Sequence, residues 1–173
     1  MRHAPGGAFT TALFESMRPG ALLRVEGPLG QFVYRPSDAP LLLIAGGTGY
    51  APIKAMLRHV LETGIVRPVH LYWGVRDLPD LYEAANIDAL CRRFPQLKFA
   101  AALSEPRAGV TPLCRRGWVH EIVLAEYTDL SAADIYVAGP PALVAAVRAT
   151  FPPRGADPQR IAFDSFDYAP RLR

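Results

Sequence analysis

Three stretches of this sequence carry residue types suited to holding an anion or a planar ring. The first is Ala45-Gly46-Gly47-Thr48-Gly49-Tyr50-Ala51-Pro52, which lies between an apolar run and an amphipathic stretch. Glycines let a backbone approach a diphosphate closely, and a helix N-terminus presents unpaired N–H groups at the positive end of its dipole. Pro52 suits a first helical turn, where its missing donor costs nothing. The spacing is neither the Gly-x-Gly-x-x-Gly dinucleotide fingerprint nor the Gly-Lys-Ser/Thr of a triphosphatase loop, so a tight turn of any α/β protein stands as the alternative reading. The second stretch, Tyr72-Trp73-Gly74-Val75-Arg76, ends an apolar run and leads to Asp80. A glycine and an arginine at the carboxyl end of a parallel strand sit where such sheets bind ligands; the plainer reading is a solvated Arg76 with Asp80 capping the next helix. The third, Tyr136-Val137-Ala138-Gly139-Pro140-Pro141, is again strand into helix. Ser104 closes another apolar run and by itself says nothing.

Other apparent signatures fail on context. Tyr50 and Lys54 have the Tyr/Lys spacing of short-chain dehydrogenases but fall on the glycine turn itself, not on a later helix. His120-Glu121 lacks a second histidine four residues after the first, and no Gly-x-Ser-x-Gly elbow occurs. Cys91 and Cys114 stand 23 residues apart without a Cys-x-x-Cys, which excludes a metal knuckle or an iron–sulfur cluster assembled from these residues. Nineteen basic residues against sixteen acidic ones give +3, and the bases are scattered, which argues against a nucleic-acid surface. The segment Met1 to Gly7 has no apolar signal core, and the run Leu41 to Ala45 is far too short for a bilayer, so the expected partners include no membrane and the expected location is cytoplasmic.

These stretches need a scaffold, and 173 residues, half of them apolar, supply one full domain and a piece of another. From residue 40 onward strands and helices alternate. Leu41 to Ala45, Val69 to Val75, Leu97 to Leu103, Asp134 to Ala138 and Arg160 to Phe163 read as strands. Ile53, Met56, Leu57, Val60 and Leu61 lie on one helical stripe that Gly64 stops. Further helices are expected over Leu81 to Phe94, about Trp118 to Glu126 and Pro141 to Phe151, with residues 105–117 a loop. Five strands joined through helices imply a parallel, doubly wound sheet. Residues 1–39 break the rhythm. A short helix, Ala12 to Met17, precedes two short strands, Leu22 to Gly27 and Phe32 to Tyr34, around Pro28-Leu29-Gly30. Two strands alone are marginal and expose their edges, so this segment reads as the end of a larger antiparallel β domain, with self-association expected.

In order, Gly6-Gly7-x-Phe9-Thr10-Thr11, Glu26-Gly27-Pro28-Leu29-Gly30, Ala45-Gly46-Gly47-Thr48-Gly49-x-Ala51-Pro52, Gly74-x-Arg76, Leu103-Ser104, Ala138-Gly139-Pro140-Pro141 and Phe163-Asp164-Ser165-Phe166 resemble the ferredoxin-NADP reductase superfamily. Within it the likeness is to NAD(P)H-flavin reductases and the CDP-6-deoxy-glucoseen reductase type. The resemblance implies a flavoenzyme with a β-barrel FAD domain, here residues 1–39 as its remnant, and an α/β NAD(P)-binding domain, residues 40–173. It implies that Gly46, Gly47, Thr48, Gly49, Ala51 and Pro52 lie under the pyrophosphate and nicotinamide of NAD(P)H. Gly74, Arg76 and Asp80 would border the adenosine half with Ser104 close by, and Gly139, Pro140 and Pro141 would line the nicotinamide pocket. Gly7, Phe9, Thr10 and Thr11 resemble the flavin phosphate motif, and Phe163 or Phe166 the aromatic that covers the isoalloxazine. A cysteine that many relatives carry before Gly-Pro-Pro is here Ala138, and the Arg-x-Tyr-Ser flavin motif would lie upstream of these residues. The missing barrel and an electron-acceptor protein are the implied partners. NADH is favoured, since no second Lys or Arg stands within four residues of Arg76. A nucleotide-binding module without flavin, and a flavodoxin-like domain holding FMN, are the competing readings.

Overall fold

The apolar runs form strands and the striped segments form helices in the order βαβαββαβαβ from residue 41. The computed structural model describes residues 3, 6–27, 29–107 and 114–166. Strands β1 (Leu41–Gly46), β2 (Val69–Val75), β3 (Leu97–Leu103), β4 (Cys114–Arg116), β5 (Asp134–Gly139) and β6 (Ile161–Ser165) make one sheet in the order β4-β3-β2-β1-β5-β6, every pair parallel. All six residues of β1 are buried, as expected for a central strand covered on both faces. Alternation along the strands divides two cores. Leu41, Leu43, Leu71, Trp73, Ala101 and Leu103 pack beneath α2 (Tyr50–Glu62) and α3 (Ala84–Arg93). Leu42, Ile44, Tyr72, Ala102, Ile135 and Val137 pack beneath α4 (Val119–Glu126) and α5 (Pro141–Thr150). Fully burying a side chain of Leu or Ile size stabilises by roughly 1.5–3 kcal/mol, so the four buried Leu and Ile side chains of β1 anchor it firmly in the sheet.

Several expectations need correction. The sheet has six strands, not five. The extra one, β4, pairs three residues with Ala101–Leu103 and is read as loop because Cys-Arg-Arg has no apolar alternation. The second helix begins at Ala84 instead of Leu81, because Leu78–Asp80 first form a 3-10 turn capped by Asp77, whose Oδ1 accepts from Leu78 N at 2.8 Å. The last strand runs from Ile161 to Ser165, two residues beyond Phe163. Residues 108–113, in the middle of the expected 105–117 loop, lie outside the described residues, as do Pro28 and residues 1, 2, 4, 5 and 167–173.

The chain divides into two compact units, residues 1–31 and 32–173. In the first, α1 (Ala8–Thr11) starts four residues ahead of the expected Ala12 and continues as a π-helical turn, Ala12–Ser16. The two strands expected at 22–27 and 32–34 do not form; Leu22, Val25, Leu29 and Val33 are exposed. A pair of strands with no third partner and no covered face lacks the burial that would hold it. In the second unit, residues 32–40 are fixed to the sheet. Phe32 and Tyr34 pack on the first core, and Arg35 N donates to Tyr136 Oη at 2.8 Å. Arg67, 2 % exposed, donates to Ser37 O at 2.9 Å and to Asp134 Oδ2 at 2.8 Å.

Candidate functional site

The carboxyl ends of the strands meet where the strand order reverses. β1 leads outward through β2 to β3 and β4, and the chain then returns to β5 on the other flank of β1. In open α/β sheets the crevice at such a switch point is where ligands bind. Here it is walled by glycine: Gly46 ends β1, Gly74 is its register partner on β2, and Gly139 ends β5. The turn Gly47–Gly49 is 3-10 helical and runs directly into α2, so the donors without intrahelical partners belong to the glycine turn itself.

Each glycine has a different steric reason. A Cβ on Gly49 would stand 2.0 Å from Ala138 O, so the turn lies directly against the end of β5. A Cβ on Gly46 would meet Leu143 Cδ2 and Pro140 Cδ at 2.8 Å, and one on Gly74 would meet Val119 Cβ at 2.8 Å. Gly47 differs: nothing lies within 4 Å of its missing Cβ, and its φ of +55° is left-handed. Three glycines are therefore needed for packing, and the fourth opens onto empty space, which is the cradle a phosphate or a nicotinamide ring requires. Thr48 and Ala51 are exposed beside it, with Pro52 half-buried.

Beneath the turn lies an aromatic layer that sequence reasoning missed. Trp73, fully buried, donates from Nε1 to Gly47 O at 2.9 Å. The ring of Tyr50 stacks on it at 4.1 Å and 14°, and Tyr82 meets it edge-on at 5.0 Å. Burial pushes the Tyr50 phenol well above its ordinary range, with Glu83 adding to the effect, so it stays a neutral ring. Strand alternation was the available signal: Trp73 shares the parity of Leu71 and Val75 and so points under α2.

Along β2 and β3 the site becomes polar. Arg76 is exposed, Glu105 N donates to Arg76 O at 2.9 Å, and Ser104 Oγ turns to Val75 O at 3.5 Å. Asp77 caps the 3-10 turn and also accepts from Arg107 N at 3.3 Å, whereas the N-cap position of the second helix, expected at Asp80, is Glu83. Asp80 ends the 3-10 turn, half-buried. At α3's leading edge Glu83 accepts from Lys54 Nζ of α2 at 2.6 Å, which holds its carboxyl below the usual range. At the opposite flank Pro140 caps α5, Pro141 is its first residue, and Phe166 N donates to Gly139 O at 3.0 Å. The two phenylalanines thus separate. Phe163 packs on the second core with the Arg148 guanidinium 4.7 Å over its ring, whereas Phe166 stands at the strand's carboxyl end beside Gly139.

Gly7, Phe9, Thr10 and Thr11 belong to the first unit. Thr11 N donates to Gly7 O at 2.9 Å, Thr10 Oγ1 turns back to Gly7 O at 3.3 Å, Thr11 Oγ1 lies 3.3 Å from His3 Nε2, and Phe9 is exposed. Among the described residues no three His, Cys, Asp or Glu side chains come together to hold a metal ion, and no helix is long and apolar enough to cross a membrane.

Comparison with known proteins agrees with this geometry. The chain is 35% identical over 167 residues to the ferredoxin–NAD(P)+ reductase component of the naphthalene 1,2-dioxygenase/salicylate 5-hydroxylase systems of a Ralstonia species, covering 96% of this chain and 50% of that protein. It is 32% identical over 167 residues to the CDP-6-deoxy-L-threo-D-glycero-4-hexulose-3-dehydrase reductase of Yersinia pestis, with the same coverage of 96% and 50%. The chain spans about half the length of the curated relatives it matches. Among solved structures, the Amycolatopsis cytochrome P450 reductase GcoB superposes with a TM-score of 0.86 at 33% identity, over 96% of this chain and 50% of that one. Residues 43–149, from within β1 almost to the end of α5, match the oxidoreductase NAD-binding domain family, and the chain belongs to that family, with the ferredoxin reductase-like fold.

Proposed function

We propose that the crevice between the carboxyl ends of β1 and β5 holds NAD(P)H and presents its nicotinamide for hydride transfer to FAD in a flavin-dependent reductase that passes electrons to an acceptor protein. The observation that carries this reading is the Gly47 cradle, open and left-handed, at the switch point of a parallel sheet. The N–H groups of Gly47, Thr48 and Gly49 face the pyrophosphate, with Gly46, Ala51 and Pro52 shaping the turn around them. Gly74, Arg76, Asp80 and Ser104 border the adenosine half. Gly139, Pro140 and Pro141 close the nicotinamide end, where Phe166 covers a ring. A flavin bound opposite supplies two-electron acceptance and onward one-electron release. The protein's part is alignment of the rings at roughly 3–3.5 Å, and the small residues Gly47, Ala138 and Gly139 leave room for that approach. No acid–base pair is needed.

The names of the similar proteins support a reductase component, and a ferredoxin or oxygenase is the acceptor class they suggest. Residues 1–31 are the edge of the flavin domain in this reading. In this unit Thr10 bonds Gly7 O and Thr11 lies against His3. That pairing favours a second reading, in which the chain binds the nicotinamide nucleotide and the flavin is held elsewhere. NADH is the preferred form in this reading, because no second Lys or Arg stands within four residues of Arg76. Two unpaired cysteines, Cys91 and Cys114, suit a reducing, cytoplasmic setting.

A flavin absorbance spectrum of the purified chain, followed by NADH without air, tests the proposal. Bound flavin that bleaches supports the flavoenzyme. Colourless protein that binds NADH in calorimetry supports the second reading, and protein that binds neither NADH nor NADPH removes both.

A further inference from the structure

The buried indole of Trp73 has one polar atom, and that atom is spent on the glycine turn. Its Nε1–H donates to Gly47 O at 2.9 Å from a ring that is fully buried, stacked against Tyr50 and braced edge-on by Tyr82. Gly47 O also accepts from Tyr50 N, the first residue of α2. One carbonyl is thus fixed from two directions, by a side chain of β2 and by the backbone of the helix. Nothing lies within 4 Å of where a Gly47 Cβ would stand, and its φ is left-handed, so no side-chain contact at this position selects its backbone conformation. A residue with this freedom populates several conformations unless a hydrogen bond selects one.

We propose that Trp73 is the positioning residue of the nucleotide turn: its indole N–H holds the Gly47 carbonyl inward, which turns the Thr48 N–H of the same peptide plane outward toward a bound diphosphate. This rests on the reading of the crevice as a nicotinamide-nucleotide site. The logic is that of a peptide plane. Anchoring the carbonyl between Gly47 and Thr48 on the inner side forces the N–H of Thr48 to the opposite side. If the carbonyl flips out, a carbonyl oxygen faces the phosphates and repels them. The aromatic layer makes the anchor stiff: Tyr50 follows the turn directly in sequence, and its ring stacks on the indole that holds the turn. Pre-organisation of this kind lowers the cost of binding without touching the ligand.

The test uses the whole chain and the variant Trp73→Phe, which keeps an aromatic ring on Tyr50 and deletes the donor. Calorimetric titration with NADH is expected to show binding weakened roughly tenfold, on the scale of one lost neutral hydrogen bond. The melting temperature is expected to fall by only a few degrees. In the unsubstituted chain, the Trp73 indole proton should exchange slowly with solvent and shift when NADH is added, while that of Trp118, 60 % exposed, should exchange fast. Unchanged NADH affinity in Trp73→Phe overturns the proposal and leaves the site reading intact. An unperturbed Trp73 proton on saturation with NADH does the same even if the variant fails to fold. A parent chain that binds no nicotinamide nucleotide overturns the site reading and this proposal together.

Discussion

At the amino ends of β1 and β5 charged side chains fasten the sheet, whereas at the carboxyl ends of the same strands the backbone is left bare. Asp134, the first residue of β5, takes Arg67 at 2.8 Å and Arg160 at 3.0 Å on its two oxygens and bonds Ser37 as well. That clasp ties residues 34–40 to the sheet. Five residues further along the strand, Gly139 meets Gly46 so closely that a Cβ on Gly139 would stand 3.0 Å from Gly46 Cα, while one on Gly46 would meet Pro140 and Leu143 at 2.8 Å. Side chains at one end give rigidity through directional pairs that exclude ligand; glycine at the other gives rigidity through contact and leaves main-chain donors free. The proposed nucleotide crevice therefore lies at the end where main-chain donors are left free.

The strongest way to break this contrast is Gly49→Ala. Its Cβ would stand 2.0 Å from Ala138 O, and backbone cannot yield as a side-chain tip can, so the loss should exceed about 4 kcal/mol. Urea denaturation of the variant, or its failure to accumulate in soluble form, reads this out. Asp134→Ala comes next. It leaves the Arg67 guanidinium, 1 % exposed, without its carboxylate, at a cost of about 3–5 kcal/mol. Because the clasp is at the far end, any variant population that stays folded at low temperature should bind NADH as tightly as the parent. Weakened binding there would end the claim that the two ends act separately.

A smaller effect sharpens the contrast through pH. Although burial pushes Asp134 up, hydrogen bonds from Ser37, Arg67 and Arg160 hold it below its usual range. A depressed acid stabilises above its unfolded pKa and is lost as pH falls through the folded one, so the clasp fails only below about pH 4. His70 behaves differently. Burial lowers it from 6.5 to about 4, with Glu126 opposing and Lys98 and Arg115 assisting. The hydroxyls of Tyr72 and Tyr127 lie at 2.9 and 3.2 Å from its Nδ1. The unfolded chain takes up a proton below 6.5 and the folded chain does not, so stability is lost as pH falls from about 6.5 toward 4. Between pH 7 and 5 the loss should be about 2 kcal/mol. His70→Gln should flatten that interval and leave the steeper fall below pH 4 untouched.

The central architecture was legible in the sequence because both its signals are local. β2 and β3 have the expected limits, and the five-residue stripe of α2 is buried as its spacing requires. What failed to show was whatever depends on a distant partner. β4 is a strand only because β3 offers Ala101–Leu103 an edge, and residues 22–27 and 32–34 are not strands because no strand among the described residues pairs with them. The site divides likewise. The glycine turn announces itself by composition. Trp73 reads as core until the fold brings Gly47 to it, 26 residues away, and Asp77 is hidden beside the more conspicuous Asp80.

The position of β1 also governs the order in which the molecule can be made. Its register partners on one side, Val69 to Gly74, follow it closely, but those on the other side begin at Asp134, 93 residues after Leu41. Closing so long a loop is entropically slow, and parallel pairing gives no short hairpin to start it. During synthesis β1, β2 and β3 can zip while one edge of β1, wholly apolar in its side chains up to Gly46, waits bare for β5. The crevice is therefore completed late, and a ribosome that pauses before residue 134 leaves an apolar strand edge exposed.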